Sequence, residues 1–358
     1  MGLEAGNIHT GNDTERRVHP ASWQVAAPQR DRPVPRRPPA RRTRSGRGAI
    51  WCDSNRLVHP VTLAQLTLCA LLLATAGCGG DSTGSRMISY DELQTGAPGG
   101  QRIAYGADPL QFGELRVPDG GGPAPVVVLV HGGCWQNEYT LDHLSGASAA
   151  LTRQGFAVWS IEYRRIGDPG GGWPGTFQDV ARGVDHLRAL AAGNPRLDTT
   201  RVVLAGHSAG GQLALWAASR RAGGGEPGGG SPLRAVGVVS LAGITDLRGY
   251  GAAPGDCNSS VYPLLGGTPA QHPERYAAVS PLERVPFGIP VRFVHGAADP
   301  IVPVAQSRAL LDRMRAAGES AELTVVEGAG HFDVVAPQAK AWDAVVKAIR
   351  SLCSCAPV

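Results

Sequence analysis

Val202-Val203-Leu204-Ala205-Gly206-His207-Ser208-Ala209-Gly210-Gly211 is the stretch whose reading decides the fold. A short apolar, β-branched run ends in Gly-His-Ser-Ala-Gly, and helical spacing follows over 210–220. A serine between glycines, with a strand before it and a helix after it, sits in a sharp strained turn called a nucleophile elbow. The glycines remove side chains that would collide there. The helix N-terminus behind Ser208 favours negative charge nearby. The competing reading is a serine that merely caps the helix.

Working outward, the same grammar repeats. Buried-strand runs occur at 125–130, 157–163, 202–205, 236–241, 291–294 and 323–326. Unbroken apolar runs mark strands covered on both faces. Helix-period stretches lie between or beyond them, at 142–154, 176–192, 210–220, 304–317 and 337–352. Moderate alternation over 101–118 suggests one or two early antiparallel strands. Strand alternating with helix predicts an α/β fold: a mostly parallel sheet with helices on both faces. Ligands in such sheets bind at the carboxyl ends of the strands.

Three further motifs sit at those ends. His131-Gly132-Gly133-Cys134-Trp135 follows the 125–130 run. Acyl transfer develops negative charge on a carbonyl oxygen, so donors must already point at it. The backbones of Gly132 and Gly133, with the N–H of Ala209, are assigned that role, and His131 is assigned to loop structure. Asp299 lies in the loop after 291–294, where a carboxylate could orient an imidazole; a local Asx turn before Pro300 is the alternative. Asp246, after 236–241, is the reserve acid. His331, in Gly328-Ala329-Gly330-His331-Phe332-Asp333 after the last strand, is the candidate general base. Asp333 is read as structural.

These four motifs occur in order over about residues 101–352, and the sequence resembles the α/β-hydrolase superfamily. Ser208, Asp299 and His331 follow its nucleophile–acid–base order. His131-Gly132-Gly133 with Gly206-His207-Ser208-Ala209-Gly210-Gly211 is similar to hormone-sensitive-lipase-like and feruloyl-esterase-like esterases. The same loop, with Glu162-Tyr163-Arg164-Arg165 and Gly172-Trp173-Pro174, also resembles kynurenine formamidase-like hydrolases. The resemblance implies a serine-dependent carboxylic ester hydrolase working through an acyl-enzyme, with no metal or other cofactor. No H-E-x-x-H or paired C-x-x-C spacing asks for a metal. An amidase of the arylformamidase kind is the alternative, and a non-catalytic surface lipoprotein using the fold for binding is a third.

Trp135 and Trp173 are expected to line the substrate pocket, with Tyr163 and Phe177 as further candidates; core packing competes for each. The long segment 245–285 is a candidate small cap or an ordinary crossover. Cys134, Cys257, Cys353 and Cys355 form an even set once the N-terminal cysteines are set aside. A Cys134–Cys257 bridge would pin the cap to the 131–135 loop.

Upstream, the composition changes. Residues 1–60 hold eleven arginines, no lysine and five acids, which more than accounts for the net +4 of the chain and leaves 61–358 near neutral. The catalytic region therefore offers no basic surface for nucleic acid. Residues 1–60 read as a disordered or misassigned leader. Residues 61–78 form a short uncharged apolar run, small residues and Cys78. This is too short to span a bilayer comfortably and is similar to a bacterial lipoprotein signal, with Cys78 as the lipidated residue. Thr75 three residues before Cys78 departs from the usual leucine. The expected destination is outside the cytoplasm, as a cell-envelope lipoprotein attached to the membrane through Cys78 or as a secreted protein. Residues 79–100 read as a flexible tether. A small-molecule ester or amide is the expected partner.

Overall fold

The computed structural model describes residues 86–94, 97–223 and 225–354. The leader, the signal segment 61–78, Cys78 and Cys355 lie outside them. A short helix α1 (Tyr90–Leu93) precedes the antiparallel strands β1 (Gln101–Ala104) and β2 (Phe112–Arg116). Then come β3 (Ala124–Val130), α2 (Ser145–Arg153), β4 (Ala157–Ile161), α3 (Gly175–Asp185), α4 (Leu187–Gly193), β5 (Leu197–His207), α5 (Ala209–Ser219) and β6 (Gly237–Leu241). Four short helices follow: α6 (Leu247–Ala252), α7 (Asp256–Ser259), α8 (Val261–Leu265) and α9 (Pro273–Val279). The chain closes with β7 (Val291–Gly296), α10 (Ala305–Ala316), β8 (Ala321–Val326) and α11 (Trp342–Cys353).

The eight strands form one sheet in the order β1-β2-β4-β3-β5-β6-β7-β8. From β4 to β8 all neighbours are parallel; β1 and β2 join antiparallel at one edge. Alternation within the central strands divides the core between two faces. Val126, Val128 and Val130 pack with α3, α5 and α10 residues such as Val180, Leu213 and Leu310 on one face. Val127 and Leu129 meet Leu151 of α2 and Ile349 of α11 on the other. Apolar side chains on both faces explain why these strands read as unbroken apolar runs.

Two expectations need correction. The 202–205 strand begins at Leu197, because Ala124 and Pro125 pair with Leu197 and Asp198 before the register shifts to Val126↔Val202. Polar Asp198, Thr199 and Thr200 hid that extension. The tether assigned to 79–100 does not describe 86–94. Glu92 accepts hydrogen bonds at 2.9 Å from the backbone N–H and the hydroxyl of Ser89, fixing the start of α1. Leu93 is buried in the second core face and Ile88 packs against it. One apolar residue per turn is enough to dock such a short segment but too little to stand out in a polar stretch.

Candidate active site

The register brings the chemistry to one end of the sheet. Val130 of β3 pairs with Gly206 of β5, so the 131–135 loop emerges beside the elbow. Ser208 takes φ 57°, ψ −122°, a costly conformation for a residue with a side chain. Its N–H donates to Leu241 O at 2.9 Å, tying the turn to β6. A side chain at position 210 would run into the backbone of Val130 and His131, so glycine is required there. A Cβ on Gly132 would stand 3.0 Å from Ser208 Cβ, which measures how closely the two loops approach. Gly133 has φ 102°. Ala209 opens α5, so its N–H is one of those a helix leaves without an intrahelical acceptor.

In the loop after β8, His331 Nδ1 donates to Asp299 Oδ2 at 2.7 Å. A carboxylate only accepts, so Nδ1 carries a proton, and in the neutral imidazole the lone pair is then on Nε2. Asp299 Oδ1 accepts from the N–H groups of Ile301 and Val302 at 2.8 and 2.9 Å. The Asx turn and the imidazole contact are therefore both present, one on each oxygen. His295 Nε2 donates to Val302 O at 2.8 Å and lies 3.3 Å from Asp299 Oδ2. Burial alone would raise the Asp299 carboxyl, but the hydrogen bonds from His295 and His331 outweigh it and hold it well below the usual carboxylate range. Asp246, the reserve acid, instead caps α6, accepting from the N–H groups of Arg248 and Gly249 at 3.0 Å each.

Ser208 and His331 both line a cavity of about 130 Å³ together with Gly133, Cys134, Tyr90, Tyr139, His143, His207, Ile301 and Phe332. Trp135 and Trp173 are not among its walls, which corrects the expectation for both. Trp135 is wholly buried in the core and its indole N–H donates to Gln212 Oε1 at 3.1 Å. Its backbone takes φ 57°. Trp173 packs against Phe177 and under the guanidinium of Arg275 and borders a separate groove with Arg182 and Glu226. Tyr163 and Phe177 are also core residues. His131 is held by Glu162 Oε1 at 2.7 Å and stacks on Tyr163, as a loop-structuring residue would.

No residue of 245–285 borders the cavity either. That segment instead clamps the 131–136 loop from the side. Cys134 and Cys257 form a disulfide, and Gln136 Nε2 donates to Ser260 Oγ at 2.7 Å. The consecutive positive φ angles of Gly133, Cys134 and Trp135 are thus held from outside the loop. Cys353 is a buried free thiol.

Sequence reasoning missed the two further histidines of the cavity. His207 Nε2 donates to the backbone carbonyl of His331 at 3.0 Å, and their rings lie 4.6 Å apart. Its place inside the Gly-His-Ser-Ala-Gly turn was the available signal. His143 Nδ1 donates to Thr140 O at 2.9 Å. Burial, then the nearby His131, lowers the pKa of His143 to about 3. Burial, then the neighbouring His331 and His143, keeps His207 well below the usual range. Both are therefore neutral donors fixed by carbonyls.

The BD-FAE family model matches residues 115–314, more than half of the chain. The chain is 31% identical over 248 residues to Esterase LipC of Mycobacterium tuberculosis (strain ATCC 25618 / H37Rv), a match covering 66% of this chain and 60% of LipC. Matches to the curated relatives span between 46% and 60% of their lengths. Among solved structures, a truncated form of a carbohydrate esterase from gut microbiota superposes with a TM-score of 0.62 at 22% identity, covering 73% of this chain and 98% of that one. Esterase B from Lactobacillus Rhamnosis (HN001) gives 0.62 at 22% identity, covering 74% and 90%. These two likenesses concern the fold, an α/β-hydrolase sheet with its flanking helices.

Proposed function

Since this chain belongs to the BD-FAE family and has the α/β-hydrolase fold, we propose that it is a serine esterase that cleaves a carboxylic ester through an acyl-enzyme. His331 Nε2 takes the proton of Ser208 Oγ as that oxygen attacks the ester carbonyl. The oxyanion is met by the N–H of Ala209 and the backbone of Gly132 and Gly133, since acyl transfer needs donors aimed at the developing charge. Asp299, ionised, stabilises the imidazolium. His331 then returns the proton to the departing alkoxide, which leaves as the alcohol. Water, losing its proton to His331, attacks the acyl-enzyme, and the acid is released with Ser208 restored.

The observation that carries this reading is that His331, held by Asp299 at 2.7 Å, lines the same cavity as Ser208. A fluorophosphonate probe is expected to label the wild type and not Ser208→Ala. The same variant should lose roughly 10⁴–10⁶-fold in turnover of p-nitrophenyl acetate. A wild type that is neither labelled nor active on any ester would overturn it. N-formylkynurenine in the substrate panel separates ester from amide preference.

We further propose that the protein is exported and carries lipid on Cys78. The apolar run and small residues before Cys78 support this. So does the Cys134–Cys257 bridge, since disulfides persist in oxidising compartments. Metabolic labelling with a fatty acid tests it, and an unlabelled protein retaining residues 1–77 would reject it.

A further inference from the structure

The segment just upstream of the sheet does more than dock. Its backbone is tied to the loop that carries His331: Ile88 N–H donates to Asp333 Oδ2 at 3.2 Å, and the same oxygen accepts from Gly330 N–H at 3.0 Å. Met87 lies on Gly330 closely enough that a Cβ there would stand 2.7 Å from its sulfur. From this anchored strap Tyr90 projects onto the cavity. Its ring is edge-on to Tyr139 at 5.2 Å, and lies 5.5 Å from His143 and 5.9 Å from Phe332. These three residues and Tyr90 all border the cavity beside Ser208. Aromatic clusters at these separations are mutually stabilising, which makes a stiff wall.

We propose that Tyr90 is a specificity-determining residue: with Tyr139 and Phe332 it closes the cavity and restricts the enzyme to esters of short acyl groups. The assignment rests on the serine-esterase reading of Ser208. The cavity's volume, about 130 Å³, is close to the roughly 150 Å³ that accepts a benzene ring, so it holds an acetyl to butyryl group and stops an octanoyl chain. Tyr90 lies upstream of the stretch shared with the family, so this limit is set by a part of the chain the family motifs do not include.

The test compares kcat/KM on p-nitrophenyl acetate, butyrate and octanoate in the full chain. Tyr90→Ala should raise the octanoate-to-acetate ratio at least tenfold. Tyr90→Leu, which keeps an apolar anchor on the strap, should shift it part of the way. Tyr90→Phe should keep the wild-type ratio. Unchanged ratios in Tyr90→Ala and Tyr90→Leu, with fluorophosphonate labelling as full as in the wild type, would overturn the proposal. So would a proportional fall on all three substrates, since Tyr90 would then only brace the His331 loop. Failure of the wild type itself to label would instead remove the reading of Ser208.

Discussion

Asp299 divides its carboxylate between two tasks: one oxygen accepts from His331 Nδ1 at 2.7 Å, and the other accepts the N–H groups of Ile301 and Val302. The loop's own hydrogen bonds thereby fix the carboxylate that fixes the imidazole. Asp299→Asn is expected to leave the loop turn standing, because an amide oxygen can replace Oδ1. It should lower kcat on p-nitrophenyl acetate by about 10⁴-fold, because the wrong His331 tautomer is then favoured. Asp246→Asn should leave kcat within a factor of a few, since Asp246 caps a helix and asparagine caps as well. Parallel kinetics of the two variants check the assignment, and equal losses would reverse it.

The disulfide bears on both stability and turnover. Cys134 sits between Gly133 and the buried Trp135, and its partner Cys257 lies 123 residues away. Replacing both cysteines by alanine should cost about 2–5 kcal/mol in urea unfolding. It should also lower kcat more than it raises KM, because the loop that presents Gly133 loses its covalent anchor and keeps only the Gln136–Ser260 hydrogen bond. Cys353→Ala should change neither rate. Its thiol is pushed up to about 11 by burial, and it should resist alkylation in the folded protein. Wild-type unfolding that is indifferent to reductant would contradict this account.

Acid sensitivity follows from His143 and His207. Both have folded-state pKa values below the unfolded value near 6.5, chiefly through burial. Their contribution is complete above about pH 6.5; that of His143 is lost as pH falls toward about 3, and that of His207 falls in the same direction, because the unfolded chain binds protons that the fold refuses. Each histidine should add a slope of up to about 1.4 kcal/mol per pH unit in that window. Urea midpoints between pH 7 and pH 4.5 measure it, and His143→Asn should flatten the curve by about one proton. Asp299 acts at the acid end, its contribution falling away only below about pH 4, as the unfolded carboxyl protonates.

By itself the sequence determined the sheet, the elbow and the order of the site loops. Those features are local: buried strands must be apolar on both faces, and a turn as tight as that at Ser208 admits only glycine at position 206, where a Cβ would run into Gly210 O. It also narrowed the acid to Asp299 or Asp246, since both follow strands. Only the tertiary structure separates the two, because the Asp299 carboxylate meets His331 and that of Asp246 turns back onto the N–H groups of α6. The same holds for the cavity walls. Trp135, Trp173, Tyr90, Tyr139 and Phe332 are all aromatic and equally fit to line a pocket or fill a core. Which of them face Ser208 depends on the packing of segments as much as 245 residues apart, as in the hydrogen bond of Ile88 to Asp333. Periodicity records how a residue meets its own strand or helix; it carries no record of which distant loop comes to lie against it.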